Sequence, residues 1–235
     1  PKIDVNLKNN NWGSDGGLKG CEHQGCTPLG IACKNSCEPM IRSLLNNPSI
    51  DVNLPNENGD TPLIAACKEG HIDVVSLLLE QEKIDVNLKD GSGNRDVNLK
   101  DGRGNTPLIA ACGNGHIDVV KQLLTRKDID KNFGTKHLME AIGNRYLAAD
   151  TMRENLFKAV TYLLTEEKIN GNQNEHGFTP LTLSCMYRDH EVVTLLLEQE
   201  EIKVNLPDGR GITPLVEACE NVFRTYQKVN YINYN

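Results

Sequence analysis

TPLIAACKEGHIDVVSLLLEQEKIDVN, Thr61 to Asn87, returns almost unchanged as TPLIAACGNGHIDVVKQLLTRKDIDKN, Thr106 to Asn132. The Thr-Pro-Leu triplet begins at Thr27, Thr61, Thr106, Thr179 and Thr213. A Cys stands six residues after each of these threonines: Cys33, Cys67, Cys112, Cys185 and Cys219. A period this clear decides architecture before any single residue does, because repeated units build an array in which each copy touches its neighbours. It also argues against a single buried active site.

Within one copy the chemistry of each position is local. Thr61 can cap a helix, and Pro62 suits the first helical position, where an N–H has no intrahelical partner. Leu63, Ala66 and Cys67 follow at helical spacing and form a narrow, small-residue stripe for close packing. Gly70 accepts the left-handed conformation and ends the helix. After His71, a second helix carries Ile72, Val75, Leu78 and Leu79 on its apolar face, with Glu80, Gln81 and Glu82 outside. IDVN, Ile84 to Asn87, reads as a short extended piece, and Asp90, Gly91 and Gly93 supply turn chemistry. A unit of helix, turn, helix and finger cannot bury its own faces and must stack on copies of itself.

TPLIAACKEGH, VVSLLL, IDVN and the return through DG to TPL together resemble the ankyrin repeat, whose signature carries T-P-L-H-x-A over about 33 residues. The resemblance runs from Ile3 to Cys219. It implies an all-α, ankyrin-type solenoid of stacked helix-turn-helix repeats with short β-turn fingers, in one array over residues 1–235. Helix pairs are expected to start near residues 27, 61, 106, 136 and 179, with a partial terminal repeat at 213.

Departures from the family pattern carry their own expectations. Thr27 to Thr61 and Thr179 to Thr213 are both spaced by 34, and the extra residue falls in segments such as LEQEKIDVN. That predicts a slightly longer second helix that ends without a Gly cap. The family's His after TPL is replaced by Gly30, Ile64, Ile109, Thr182 and Val216, which removes its usual inter-repeat hydrogen bonding. Ser36 and Arg188 replace the inter-helix Gly, where a non-Gly residue strains or reshapes the turn.

Extended fingers or insertions are expected near 7–26, 85–105 and 146–155. DVNLKDGSGNR (Asp85 to Arg95) is followed at once by DVNLKDGRGN (Asp96 to Asn105), so one copy fills the finger and the other loops out or lengthens the hairpin. KHLMEAI, Lys136 to Ile142, stands where TPLIAAC belongs, and about ten extra residues lie around Tyr146 to Asn155. The tail from Glu220 departs from the second-helix pattern. It reads either as a capping helix, which terminal repeats need, or as the start of further sequence. Pro1 is not Met and sits beside a mid-repeat IDVN, which implies a piece of a longer protein, so missing targeting signals carry no weight.

The formal net charge of −7 disfavours nonspecific grip on nucleic acid or an anionic membrane. No apolar run of about 18 residues is present to span a bilayer. Eight cysteines in a short secreted chain would suggest disulfides. Here five occupy one repeated slot, held apart by the helix packing distance of roughly 10 Å, beyond the reach of an S–S bond. They read as small buried hydrophobes in a reducing compartment, which points to a cytoplasmic setting.

No cofactor and no metal are expected. Cys21, His23, Cys26 and Cys37 do not match a structural zinc spacing. His71 and His116 sit in the repeated Gly-His turn and read as structural. The Gly-x-Gly pieces at Gly91 and Gly102 read as turn glycines, and the DGxGN segments lack the ligand pattern of a calcium loop. No catalytic set emerges, so an enzyme is not expected.

What remains is the surface that the resemblance implies: a concave side of finger tips and first-helix ends that binds a protein partner of unknown identity. Mapped onto this chain, it comprises Lys68, Glu69, Ser92, Asn94, Arg103, Asn105, Asn114, Phe178, Met186, Tyr187, Arg210 and Ile212. Phe178, Met186, Tyr187 and Ile212 are the preferred anchors, since apolar and aromatic groups dominate interface energy. The rival readings are a regulatory or targeting arm of a larger enzyme or channel, and a metal-stabilised module resting on the Cys21–Cys26 loop.

Overall fold

The computed structural model describes residues 4–9, 25–56, 58–89, 105–129, 134–165, 167, 169–172 and 177–233, with side chains omitted at 134, 135 and 224–233. Eleven helices lie among these residues, which divide into two compact units, Pro1–Asp130 and Lys131–Asn235. The architecture is all-α, as the repeat predicts.

The first unit holds three helix pairs: α1 (Pro28–Lys34) with α2 (Glu38–Leu45), α3 (Pro62–Glu69) with α4 (Ile72–Leu79), and α5 (Pro107–Gly113) with α6 (Ile117–Leu124). Thr27, Thr61 and Thr106 cap the first helices. Their hydroxyls accept from the N–H of Gly30 (3.0 Å), Ile64 (3.2 Å) and Ile109 (3.3 Å), and Pro follows each. First helices pack on first helices, α1 on α3 on α5, and second on second, α2 on α4 on α6. Leu63, Ala66 and Cys67 are fully buried between α1 and α5. Three of the five slot cysteines behave as small hydrophobes. Burial pushes the Cys33 thiol up to about 12, and it raises Cys67 and Cys112 as well.

The second unit holds α7 (Gly134–Leu147) with α8 (Asp150–Thr165), α9 (Pro180–Tyr187) with α10 (His190–Leu197), and the single long α11 (Pro214–Asn233). In the degenerate repeat, Leu138, Ala141 and Ile142 keep the apolar register and are buried with Leu156, Val160, Leu181, Val192 and Leu196 in one cluster. The extra residues around Tyr146 to Asn155 do not form a loop. They extend α7 to 14 residues and α8 to 16, against 7 or 8 in the other pairs. The tail likewise continues the first helix of the last repeat as α11, which packs on α9.

Three expectations need correction. The second helices α4 and α10 are not longer: both stop after 8 residues, and the extra residue enters the turn beyond. They do end without Gly, at Glu80 and Glu198. IDVN is not extended; Val52-Asn53 and Val86-Asn87 are turns closed by the preceding Asp, whose Oδ1 accepts the Asn N–H at 2.9 Å. In the Cys slot, Cys185 is half-buried and Cys219 exposed; among the described residues, α11 packs on one first helix, α9, where α3 packs on two. Inter-repeat hydrogen bonding is supplied instead by Asn and His side chains outside the Thr-Pro-Leu segment.

Candidate functional site

The asparagine that ends each described DVN, and Asn172 at the matching position of Asn170-Gly171-Asn172, is the mortar between repeats. Asn53 donates from Nδ2 to the Lys83 carbonyl (2.7 Å) and accepts at Oδ1 from the Asp85 N–H (2.9 Å). Asn6 makes the same pair of bonds to Ser49 (2.7 Å) and Asp51 (2.9 Å), and Asn172 to Glu201 (2.8 Å) and Lys203 (2.6 Å). Asn87 donates to the Asp128 carbonyl at 2.8 Å. Thus Asp85 to Asn87, in the first of the two duplicated finger copies, occupies the ladder; the second copy's Asp96 to Asn98 lies outside the described residues. The recurrence of Asp-x-Asn was the signal in the sequence, but the recipient carbonyl lies a repeat away.

The Gly-His turn has a second inter-repeat role. His71 Nε2 lies 2.9 Å from the Lys34 carbonyl, and His116 Nε2 lies 3.0 Å from that of Lys68, both at the exit of the preceding first helix. In α11, Phe223 takes the His position, and Asn221 instead donates to the carbonyls of Cys185 (3.2 Å) and Met186 (3.0 Å). The structural reading of His71 and His116 agrees with this geometry.

These bonds hold the first unit's finger against the helix ends. Asn56 Oδ1 accepts from the N–H groups of Asn58 and Asp60, both at 2.9 Å, and closes the tip. Asp60 in turn meets Lys68 Nζ at 2.6 Å. Asn56, Asp60, Lys68 and Glu69 line one side of a groove of about 140 Å³, with Lys34 and Thr27 across it. Finger and first-helix end therefore do converge at Lys68 and Glu69. Asn114 caps α5 and turns its amide back onto the Ala110 carbonyl (2.8 Å), while Asn105 is half-buried just before the cap. Ser92, Asn94 and Arg103 lie outside the described residues, as do Cys21 and His23. Among the described residues, no group of three His, Cys, Asp or Glu is arranged to hold a metal ion.

In the second unit, Asp208 builds the equivalent fingertip. Its Oδ1 accepts from the N–H groups of Arg210 (2.8 Å) and Ile212 (3.0 Å). Arg210 bridges the buried carboxylates of Asp208 and Glu217, at 2.7 Å each, and lies over the Phe178 ring at 4.7 Å. Burial raises the Asp208 pKa, but the Arg210 guanidinium and those N–H groups outweigh it and hold the carboxyl below its ordinary range. Phe178, Met186 and Tyr187 are partly buried against the core cluster, so each supplies only one exposed side.

Tyr187 stacks on Tyr146 from α7, with ring centroids 4.7 Å apart at an interplanar angle of 16°. Beside them, Arg145 is buried, ion-paired with Asp189 and Glu191 at the start of α10, and placed 4.9 Å over the Phe157 ring. An open groove of about 400 Å³ runs past Tyr146, Tyr187, Arg153, Arg188 and Glu191. The sequence pattern offered Tyr187 as a candidate but not Tyr146 or Arg145, because nothing local marks a residue whose partners sit over forty positions away.

Comparison with known proteins agrees with this geometry. A family model described as ankyrin repeats (3 copies) matches residues 4–90 and 145–233, and one described as ankyrin repeats (many copies) matches 63–124. Residues 125–144, where KHLMEAI replaces the triplet, fall outside both matches. No curated protein sequence matches the chain.

Among solved structures, one similar chain comes from a structure described as the Bd0816 predatory endopeptidase of Bdellovibrio bacteriovorus in complex with immunity protein Bd3460. It has 23% identity and a TM-score of 0.62, with 85% of this chain and 94% of that chain covered. The human ASB11 ankyrin repeat domain is similar at 24% identity and a TM-score of 0.61, covering 82% of this chain and 77% of that one. EF0377, an ankyrin repeat protein, is similar at 25% identity and a TM-score of 0.61, covering 77% and 83%.

Proposed function

Because the chain belongs to the ankyrin repeat family, whose members generally serve as protein–protein interaction modules, we propose that it is a binding scaffold that holds a partner protein on its finger tips and first-helix ends. The observation that carries this reading is the fixed fingertip of the first unit. Asn56, Asp60 and Lys68 are tied by hydrogen bonds to each other, and the flanking repeats are tied by Asn6, Asn53 and Asn87. A surface ordered before binding loses little entropy on association, which is how rigid arrays obtain affinity from polar contacts. The fold is typically non-catalytic, and the proposal assigns no chemistry to it. The buried, protonated thiols of Cys33, Cys67 and Cys112 support an intracellular setting.

The test is capture of partners from the native cell, followed by titration of each. Glu69→Lys makes the net-neutral lining of the groove positive without touching the core or the Asp60–Lys68 pair. Affinity is expected to fall about tenfold or more, with the circular-dichroism melt unchanged. Partners that bind the variant as tightly as wild type would place the binding surface elsewhere.

A further inference from the structure

In the first unit the first helices are level: α1, α3 and α5 run 7 or 8 residues each. The second unit is stepped. α9 stops at Tyr187 after 8 residues, while α7 and α11, which both pack on it, run 14 and 20. With Lys136 in the place of Thr61, Arg145 and Tyr146 fall on the slots of Gly70 and His71, so α7 is still helical where α3 has turned. α11 likewise passes its own turn slot at Val222 and continues to Asn233. A notch is left over the C-terminal end of α9. The fingertip lies at the opposite end of that helix, where Gly209 donates to the Gly177 carbonyl at 2.7 Å.

The notch coincides with the open groove of about 400 Å³, and its side chains are fixed in place. Tyr187 stacks on Tyr146 of α7. Tyr146 is 55% exposed and Leu147 beside it 85%, so apolar surface stays open along this wall. The two acids of the floor, Asp189 and Glu191, are both engaged by the buried Arg145. On the α11 side, Arg188 donates to the Asn221 carbonyl at 2.6 Å. Arg153 of α8 stands apart. It is exposed and lines the same groove, yet among the described residues its guanidinium meets no carboxylate, only the Ala148 carbonyl at 3.4 Å.

We propose that this notch receives an extended segment of a partner protein, with a proline against the tyrosines and an acidic residue on Arg153. Width selects the extended form. Packed helices lie 8–10 Å apart, so α7 and α11, separated by α9, stand roughly 16–20 Å axis to axis, which leaves roughly 5–10 Å between them. An extended chain enters such a gap, and a helix about 10–12 Å across does not. Proline-rich segments are extended before they bind and dock on aromatic-lined grooves at low entropic cost. Charge selects the acid: the carboxylates of the floor are neutralised, and Arg153 is the cation left for the partner. The site lies in the second unit and does not depend on the fingertip groove of the first.

Selection of a random dodecapeptide library, displayed on phage, against the purified chain tests this. The enriched peptides are expected to carry proline within a few residues of Asp or Glu. In fluorescence-anisotropy titrations, Arg153→Glu should weaken them about tenfold or more, and Tyr146→Ser comparably, while Arg153→Lys retains most of the affinity. The Arg153→Glu melt should match wild type, because the side chain is exposed. Glu69→Lys, in the first unit's groove, should leave these peptides bound as before, which separates this site from the fingertip surface. A library from which nothing is enriched overturns the proposal. So do peptides without acid or proline, peptides that bind as helices, peptides released by Glu69→Lys, and binding that survives Arg153→Glu.

Discussion

The ninth residue after the triplet Thr is left-handed wherever the helix ends there, and the chain fills that slot in two ways. Gly70 and Gly115 adopt φ of 74° and 72°, while Ser36 and Arg188 are held at 52° and 57°. For an L-residue with a Cβ that conformation costs about 1 to 2 kcal/mol. Ser36→Gly should therefore stabilise the protein by about 1 kcal/mol in urea unfolding. Gly70 carries a further constraint, since a Cβ there would lie 2.4 Å from Nδ1 of His116. Gly70→Ala should cost about 2 kcal/mol or more, because it strains the turn and displaces the imidazole from the Lys68 carbonyl. Equal stability of Gly70→Ala and wild type would refute that account.

Elements are joined by two different polar devices, and each predicts a distinct loss. Asn53 makes its two inter-repeat bonds at an exposed site, where water competes. Asn53→Ala should cost about 1 to 2 kcal/mol, and Asn53→Asp, which keeps the acceptor but loses the donor, about half as much; denaturant midpoints separate the two. Arg145 is the opposite case. It is buried, and it satisfies Asp189, which also caps α10 by accepting the Val192 N–H at 3.2 Å. Its Nε also donates to the Arg153 carbonyl at 3.2 Å, so α7, α8 and α10 all converge on one guanidinium. Arg145→Ala leaves a half-buried carboxylate unpaired and should cost about 3 kcal/mol. Lys at this position should recover only part of that, because an ammonium cannot reach both acids in the same plane. Full stability in either variant would show the network to be incidental.

At the scale of the whole molecule, each of the two units has its own core, and repeat arrays depend on nearest-neighbour contacts. Residues 1–130 expressed alone should fold, with helical circular dichroism and a cooperative melt; an unfolded fragment would mean that the first three pairs depend on residues 131–235. The fold was legible because its signals are short-range. Thr caps the N–H three residues on, Pro fits the first turn, and a left-handed residue ends the helix, so the positions of α1, α3, α5 and α9 could be read from neighbouring letters. For the proposed binding surface, the repeat register supplied only positions on fingers and helix ends, such as Lys68, Glu69 and Arg210. Three features were not legible: the bond from Asn53 to Lys83, the pairing of Arg145 with Glu191, and the exposure of Cys219 in a slot that buries Cys67. Hydrogen bonding within a turn and apolar periodicity act over a few residues, so the letters alone placed the starts of the Thr-Pro helices and their stacking, but not the lengths of α7, α8 and α11. Which polar groups meet was settled only in three dimensions, because that depends on what another repeat brings alongside.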